Sequence, residues 1–129
     1  MDFGRRRIGL AVSDELGILA TPLVVLQARG WRTDVPAIIA QAGREGVTGI
    51  VVGLPIRDDG ERTEQTESAE RFARRIADAT ELPVLLHDER FTTWEANQRR
   101  EGRRRRADDA EAAAVLLESF LAGRRQAVG

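Results

Sequence analysis

The chain has 129 residues, 42% of them apolar and 32% charged, with a net charge of −1. These values fit one globular domain and exclude a disordered polymer and a uniformly basic nucleic-acid coat; no apolar run approaches the ~20 residues needed to span a bilayer. Cysteine is absent and histidine occurs once, so disulfides, thiolate metal sites and His-rich zinc sites are excluded, and any metal must be held by oxygen. The opening Met-Asp-Phe-Gly-Arg-Arg-Arg lacks the apolar stretch of a secretory signal. Together with the missing cysteines it points to the cytoplasm and to no membrane partner.

In chain order, Asp2 heads a first strand, and Arg7–Ser13 alternates as a second strand. Glu15-Leu16-Gly17 turns into a third strand over Ile18–Gln27, where Pro22 suggests an edge or bent position. Thr33 or Asp34 is placed to cap a helix carrying Val35, Ile38, Ile39 and Ala42 at helical spacing, with Gly46 to end it. Gly49–Leu54 is a β-branched run of the kind buried on both faces. Pro55–Arg62, with Asp58-Asp59-Gly60, reads as a loop. A helix over Thr63–Ala79 puts Ala69, Phe72, Ala73 and Ile76 on one side, and Pro83–Asp88 reads as another buried strand.

Thr92 and Glu95 form a capping box for a helix through Glu101. Asp108 and Glu111 make a similar pair before a last helix to Leu121, apolar nearly all round and therefore packed into the core. A hairpin followed by strand–helix alternation predicts an α/β sheet with helices on its faces. No linker or repeat divides the chain, so one domain over residues 1–129 is expected.

Three carboxylates occupy positions where charge is costly: Asp2 at the head of the first strand, Glu89 after Val84–Leu86, and Asp109 in the first turn of the apolar helix. Burying an ionised carboxylate costs several kcal/mol unless a cation or hydrogen bonds compensate. Each has an ordinary explanation taken singly: a solvated terminus for Asp2, a cap on Thr92-Thr93 for Glu89, the helix dipole for Asp109. Brought together, the three need a cation. A pair of divalent ions held by carboxylates ~3.5–4 Å apart hydrolyses phosphodiesters, and Mg²⁺ or Mn²⁺ suits an all-oxygen set. Arg90 adds a guanidinium able to clamp a phosphate.

All 20 basic residues are arginine, which a GC-rich genome explains, but their clustering at Arg5–Arg7, Arg74–Arg75 and Arg99–Arg106 is a separate fact. Arg6, Arg90, Thr93 and Arg103, Arg104, Arg105 and Arg106 are the candidate nucleic-acid contacts; a solvated face is the ordinary reading of such a run. Trp31 and Trp94 can stack on a base or pack, and packing is the simpler reading. His87 reads as structural.

Four linked segments carry a resemblance: Asp2-Phe-Gly-Arg-Arg-Arg-Ile-Gly-Leu-Ala-Val-Ser-Asp14; Ile-Val-Val-Gly-Leu-Pro55 with Asp59-Gly60; Asp88-Glu-Arg-Phe-Thr-Thr93; and Asp109-Ala-Glu-Ala-Ala-Ala-Val-Leu-Leu-Glu-Ser-Phe-Leu121. In order and spacing, over nearly the whole chain, they resemble the YqgF family, also called RuvX. The resemblance implies an RNase H-like, resolvase-type fold, a bacterial cytoplasmic protein, and a role in maturing the 5′ end of 16S rRNA. It also implies that Asp2, Glu89 and Asp109 match the family's acidic, metal-holding triad, with Asp109 in register and Asp108 as the helix cap.

In that family several apolar residues precede the first aspartate; here only Met1 does. A misassigned start or a shortened chain is the expectation, with ladder hydrogen bonds and core area lost and a charged α-amino group beside the metal site. The readings left open are a metal-dependent nuclease on structured RNA such as precursor rRNA, a resolvase of branched DNA such as a Holliday junction, and a nucleic-acid-binding module without catalysis, as monomer or dimer.

Overall fold

The computed structural model describes residues 1–89 and 109–128, with side chains of the last helix described over 110–124. Strand β1 (Asp2–Phe3) pairs antiparallel with β2 (Arg7–Ser13), and β2 antiparallel with β3 (Ala20–Gln27). Strands β4 (Ile50–Leu54) and β5 (Val84–Asp88) pair in parallel. Met1 joins the two ladders. Its α-amino nitrogen donates to the Val51 carbonyl at 2.7 Å, and its carbonyl accepts from the Gly53 N–H at 3.0 Å. Bonds from one residue to the two neighbours of the residue opposite are the parallel pattern. Met1 therefore lies beside Val52, and the strands form one mixed sheet in the order β3-β2-β1-β4-β5.

Helices cover both faces. On one lie α1 (Trp31–Glu45) and α2 (Glu64–Ala79), closing over Met1, Ile8, Leu10, Ile50 and Val52 with Val35, Ile38, Phe72, Ala73 and Ile76. Phe3 stacks on Phe72 with ring centroids 4.4 Å apart. On the other lies α3 (Asp109–Val128), packed on β1 through β4 with Ala110, Ala113, Ala114, Val115 and Leu116 buried. A mixed sheet between helical layers is the RNase H-like arrangement expected. No helix among the described residues is long and apolar enough to cross a membrane.

Local chemistry accounts for most boundaries. Thr63 caps α2: its hydroxyl accepts from the Thr66 N–H, while Thr66 Oγ1 accepts from the Thr63 N–H. Gly46 ends α1 in the left-handed conformation at φ 62°. Pro22 sits on β3, which among the described strands pairs only with β2. There Leu10 faces Val24 and Ala11 faces Pro22, leaving Leu23 as a bulge, so the missing N–H costs no ladder bond that an inner strand would need.

Four expectations need correction. The third strand begins at Ala20 rather than Ile18, because Asp14 Oδ1 takes the Ile18 N–H at 2.8 Å and holds that residue in the turn. Helix α1 begins at Trp31, with Gly30 and not Thr33 or Asp34 as its cap. Asp34 lies within the first turn and reaches back to the Arg29 and Gly30 N–H groups at 3.0 and 3.1 Å. The last helix continues past Leu121 to Val128. Finally, β5 is not fully buried: Leu85 and Leu86 are 45% and 46% exposed, since β5 has β4 as its only partner among the described residues. The helix expected from Thr92 to Glu101 lies outside the described residues.

Candidate active site

Strand alternation sorts the polar residues onto one face. Met1 and Phe3 face α1 and α2, so Asp2 between them faces α3. With Met1 beside Val52, Asp2 lies beside Gly53, and Gly53 pairs with His87. His87 also faces α3: its Nε2 is 3.3 Å from Ser119 Oγ, and its ring meets Phe120 edge-on at 5.7 Å. Burial lowers the His87 pKa, with the neighbouring Asp88 charge working against the shift. The histidine is thus a packed, neutral-leaning residue, as its sequence context suggests.

Asp2, Gly53 and His87 accordingly form a row across β1, β4 and β5, near the carboxyl ends of the two parallel strands, where α/β sheets place their sites. Glu89 follows β5 and folds back over this row. A Cβ built on Gly53 would lie 2.7 Å from Glu89 Oε1 and 3.4 Å from Glu89 Cγ, and would collide with Leu116 Cδ1 of α3. The Glu89 carboxylate therefore occupies space above β4 that a side chain at position 53 would fill. Asp2 and Glu89 are both half-buried.

The Met1 α-amino group reports the local field. Burial lowers its pKa from 8.0 to about 6, while the Asp2 and Glu89 charges act to raise it. Both carboxylates lie close enough to act on this buried amine, but burial outweighs them, so the α-amino group expected to be charged is mostly neutral at pH 7. Two carboxylates gathered at one point are an all-oxygen donor set chemically suited to Mg²⁺ or Mn²⁺.

Position 109 is the first residue of α3, two turns and ~10 Å along the axis before Leu116, the residue that abuts Gly53. The Asp109 side chain lies outside the described residues, and among the described side chains no three acidic or histidine groups cluster closely enough to hold a metal. Small residues bring α3 close: Ala110, Ala113 and Ala114 are buried, opposite a sheet face that carries Gly9 and Gly53. The signal that marks Gly53 in the sequence is a glycine interrupting a β-branched run, a pattern that accompanies close approach.

The other candidates are spread out. Arg6 is exposed on the β1–β2 hairpin, where its carbonyl accepts from the Ala28 N–H. Arg90, Thr93, Trp94 and Arg103–Arg106 lie outside the described residues. Trp31 packs under Arg75, whose guanidinium carbon is 3.8 Å from the ring centroid. Asp59 pairs with Arg57 and accepts from the Glu61 N–H, an ordinary turn arrangement. A separate cavity of about 860 Å³ opens between the second half of β2 and the start of β4, lined by Leu10, Val12, Ile38, Ala42, Leu117 and Leu121 among others; neither Asp2 nor Glu89 lines it.

Residues 1–123 match the family described as RuvX, Holliday junction resolvase. Among curated proteins, the chain is 43% identical to one from Azotobacter vinelandii, with 95% of this chain and 91% of that protein covered. It is 41% identical to one from Synechococcus sp., with 95% and 78% covered, and 43% identical to one from Koribacter versatilis, with 94% and 83% covered. All three carry, provisionally, the name pre-16S rRNA nuclease.

Proposed function

The chain belongs to the RuvX family, and from that premise we propose that it is a metal-dependent nuclease of the cytoplasm that trims the 5′ end of precursor 16S rRNA. The observation that carries this reading is the placement of Asp2 and Glu89 on one sheet face beside Gly53, under a helix that begins at Asp109. In this reading Asp2, Glu89 and Asp109 hold Mg²⁺ or Mn²⁺, as one ion or a pair. The metal supplies a Lewis acid for the phosphate and a water activated at neutral pH.

The protein's own groups do the rest. Glu89 and Asp2 present oxygen ligands from two strand ends whose separation the sheet fixes. The buried small residues of α3, Ala110, Ala113 and Ala114, keep bulk water from one side, which strengthens every charge interaction inside. Arg6, Arg90, Thr93 and Arg103–Arg106 bind the phosphate backbone and give the affinity its salt dependence.

Glu89→Gln tests the assignment. With Mn²⁺ and a precursor 16S fragment, cleavage falls by more than ~100-fold while RNA binding persists, since loss of even an outer-shell partner of a metal typically costs 10–100-fold. Unchanged cleavage in that variant contradicts the proposal and favours a module that binds without catalysis. The description of the matched family favours a second reading, resolution of branched DNA; the same assay on a four-way junction decides between them by which substrate is cut. Replacing Arg103–Arg106 with alanine flattens the dependence of RNA affinity on salt.

A further inference from the structure

The hollow at Gly53 is the least explained feature of the acidic face. A glycine inside a buried strand weakens it through backbone entropy and lost packing, so its presence there calls for a steric reason. The reason is on both sides of its Cα. Leu116 of α3 comes into direct contact range, and Glu89 lies across the same point, with Oε1 2.7 Å and Cγ 3.4 Å from where a methyl group would stand. Neighbouring strands are ~4.8 Å apart, so an acidic side chain resting over β4 is brought within reach of Asp2 on β1, one strand away. With any larger residue at position 53, the Glu89 chain would be lifted off the sheet and α3, which begins at Asp109, would be pushed outward.

We propose that Gly53 is a positioning residue of the metal site: its missing side chain is the seat in which the Glu89 carboxylate crosses β4 toward Asp2. This inference rests on the reading of Glu89 as a metal ligand. Gly53 does not touch substrate or metal; it acts through Glu89. The requirement is steric. A methyl group suffices to break it, and a change at Leu116 alone should not.

Mn²⁺ affinity of the intact 129-residue chain, measured by calorimetry in the absence of nucleic acid, tests this with four proteins: the parent, Glu89→Gln, Leu116→Ala, and Gly53→Ala combined with Leu116→Ala. The double variant removes the collision with α3, leaving only the Glu89 chain to be displaced. The proposal expects Leu116→Ala to bind Mn²⁺ within about twofold of the parent, and Glu89→Gln and the double variant each to bind ~10–100-fold more weakly. A glycine needed only for packing would lower the melting temperature and leave Mn²⁺ affinity where Leu116→Ala leaves it; that result overturns the positioning role while leaving the metal site standing. A Glu89→Gln variant that binds Mn²⁺ as the parent does overturns the metal-site reading and this inference with it. A double variant that fails to fold by circular dichroism also overturns it, because once Leu116 is shortened the nearest atoms to the added methyl are those of the flexible Glu89 chain.

Discussion

The two faces of the sheet are built on different terms. Under α1 and α2 the sheet presents Met1, Phe3, Ile8, Leu10, Ile50 and Val52, and the helices answer with Val35, Ile38, Phe72 and Ile76. Under α3 it presents Asp2, Gly9, Gly53 and His87, and the helix answers with alanines, Leu116 and Ser119. The first face gains stability from apolar area. The second gives up side-chain volume at two glycines and gathers negative charge around Met1. The same strands, read at alternate positions, therefore carry the core on one side and the candidate chemistry on the other.

The largest effect that tests this contrast is on the apolar face. Phe72→Ala removes the partner of Phe3 and should destabilise the fold by ~3–5 kcal/mol, seen as a lowered urea midpoint. Below the new melting temperature its Mn²⁺ affinity should stay near that of the parent. A variant that stays folded yet binds the metal far more weakly would break the separation of roles.

An effect of about 3 kcal/mol concerns the acidic face. The Met1 amine has a folded-state pKa of about 6 against an ordinary 8.0, so the unfolded chain holds that proton more tightly. Its contribution to stability is full above pH 8 and is lost as pH falls from 8 to 6, two units at ~1.4 kcal/mol each. Acetylating the amine should remove this slope from the stability measured across that window. The same slope after acetylation would show that the field at Met1 is not what the carboxylates and burial make it.

The smallest effect is local to α2. Thr63→Ala takes away the hydroxyl that accepts from the Thr66 N–H and should cost ~1 kcal/mol in thermal unfolding, with no change in metal affinity. A larger loss would mean that the cap also anchors the loop before it, through the bond from Thr66 to the Pro55 carbonyl.

What the sequence revealed follows this division. Helix α2 was legible because its signal is local: Ala69, Phe72, Ala73 and Ile76 recur at helical spacing on one side. Strands β2 and β4 and the Gly46 stop were legible for the same reason. The start of α1 was misplaced because Asp34 accepts from the Arg29 and Gly30 N–H groups ahead of the helix, from inside the first turn rather than from the cap position. The half-exposure of Leu85 and Leu86 was hidden because an apolar run looks the same at a sheet edge as in its middle. At the site, the residue types were legible and the geometry was not. That Asp2, Gly53 and His87 share a row depends on Met1 pairing with Val52, a contact between residues some fifty positions apart that no local pattern encodes.

The most direct test of the central claim is a crystal structure grown with Mn²⁺, located by its anomalous scattering. The account expects the ion beside Gly53, with carboxylate oxygens of Asp2, Glu89 and Asp109 at about 2.2 Å. An ion bound elsewhere, or an Asp109 carboxylate directed away from Glu89, would contradict it.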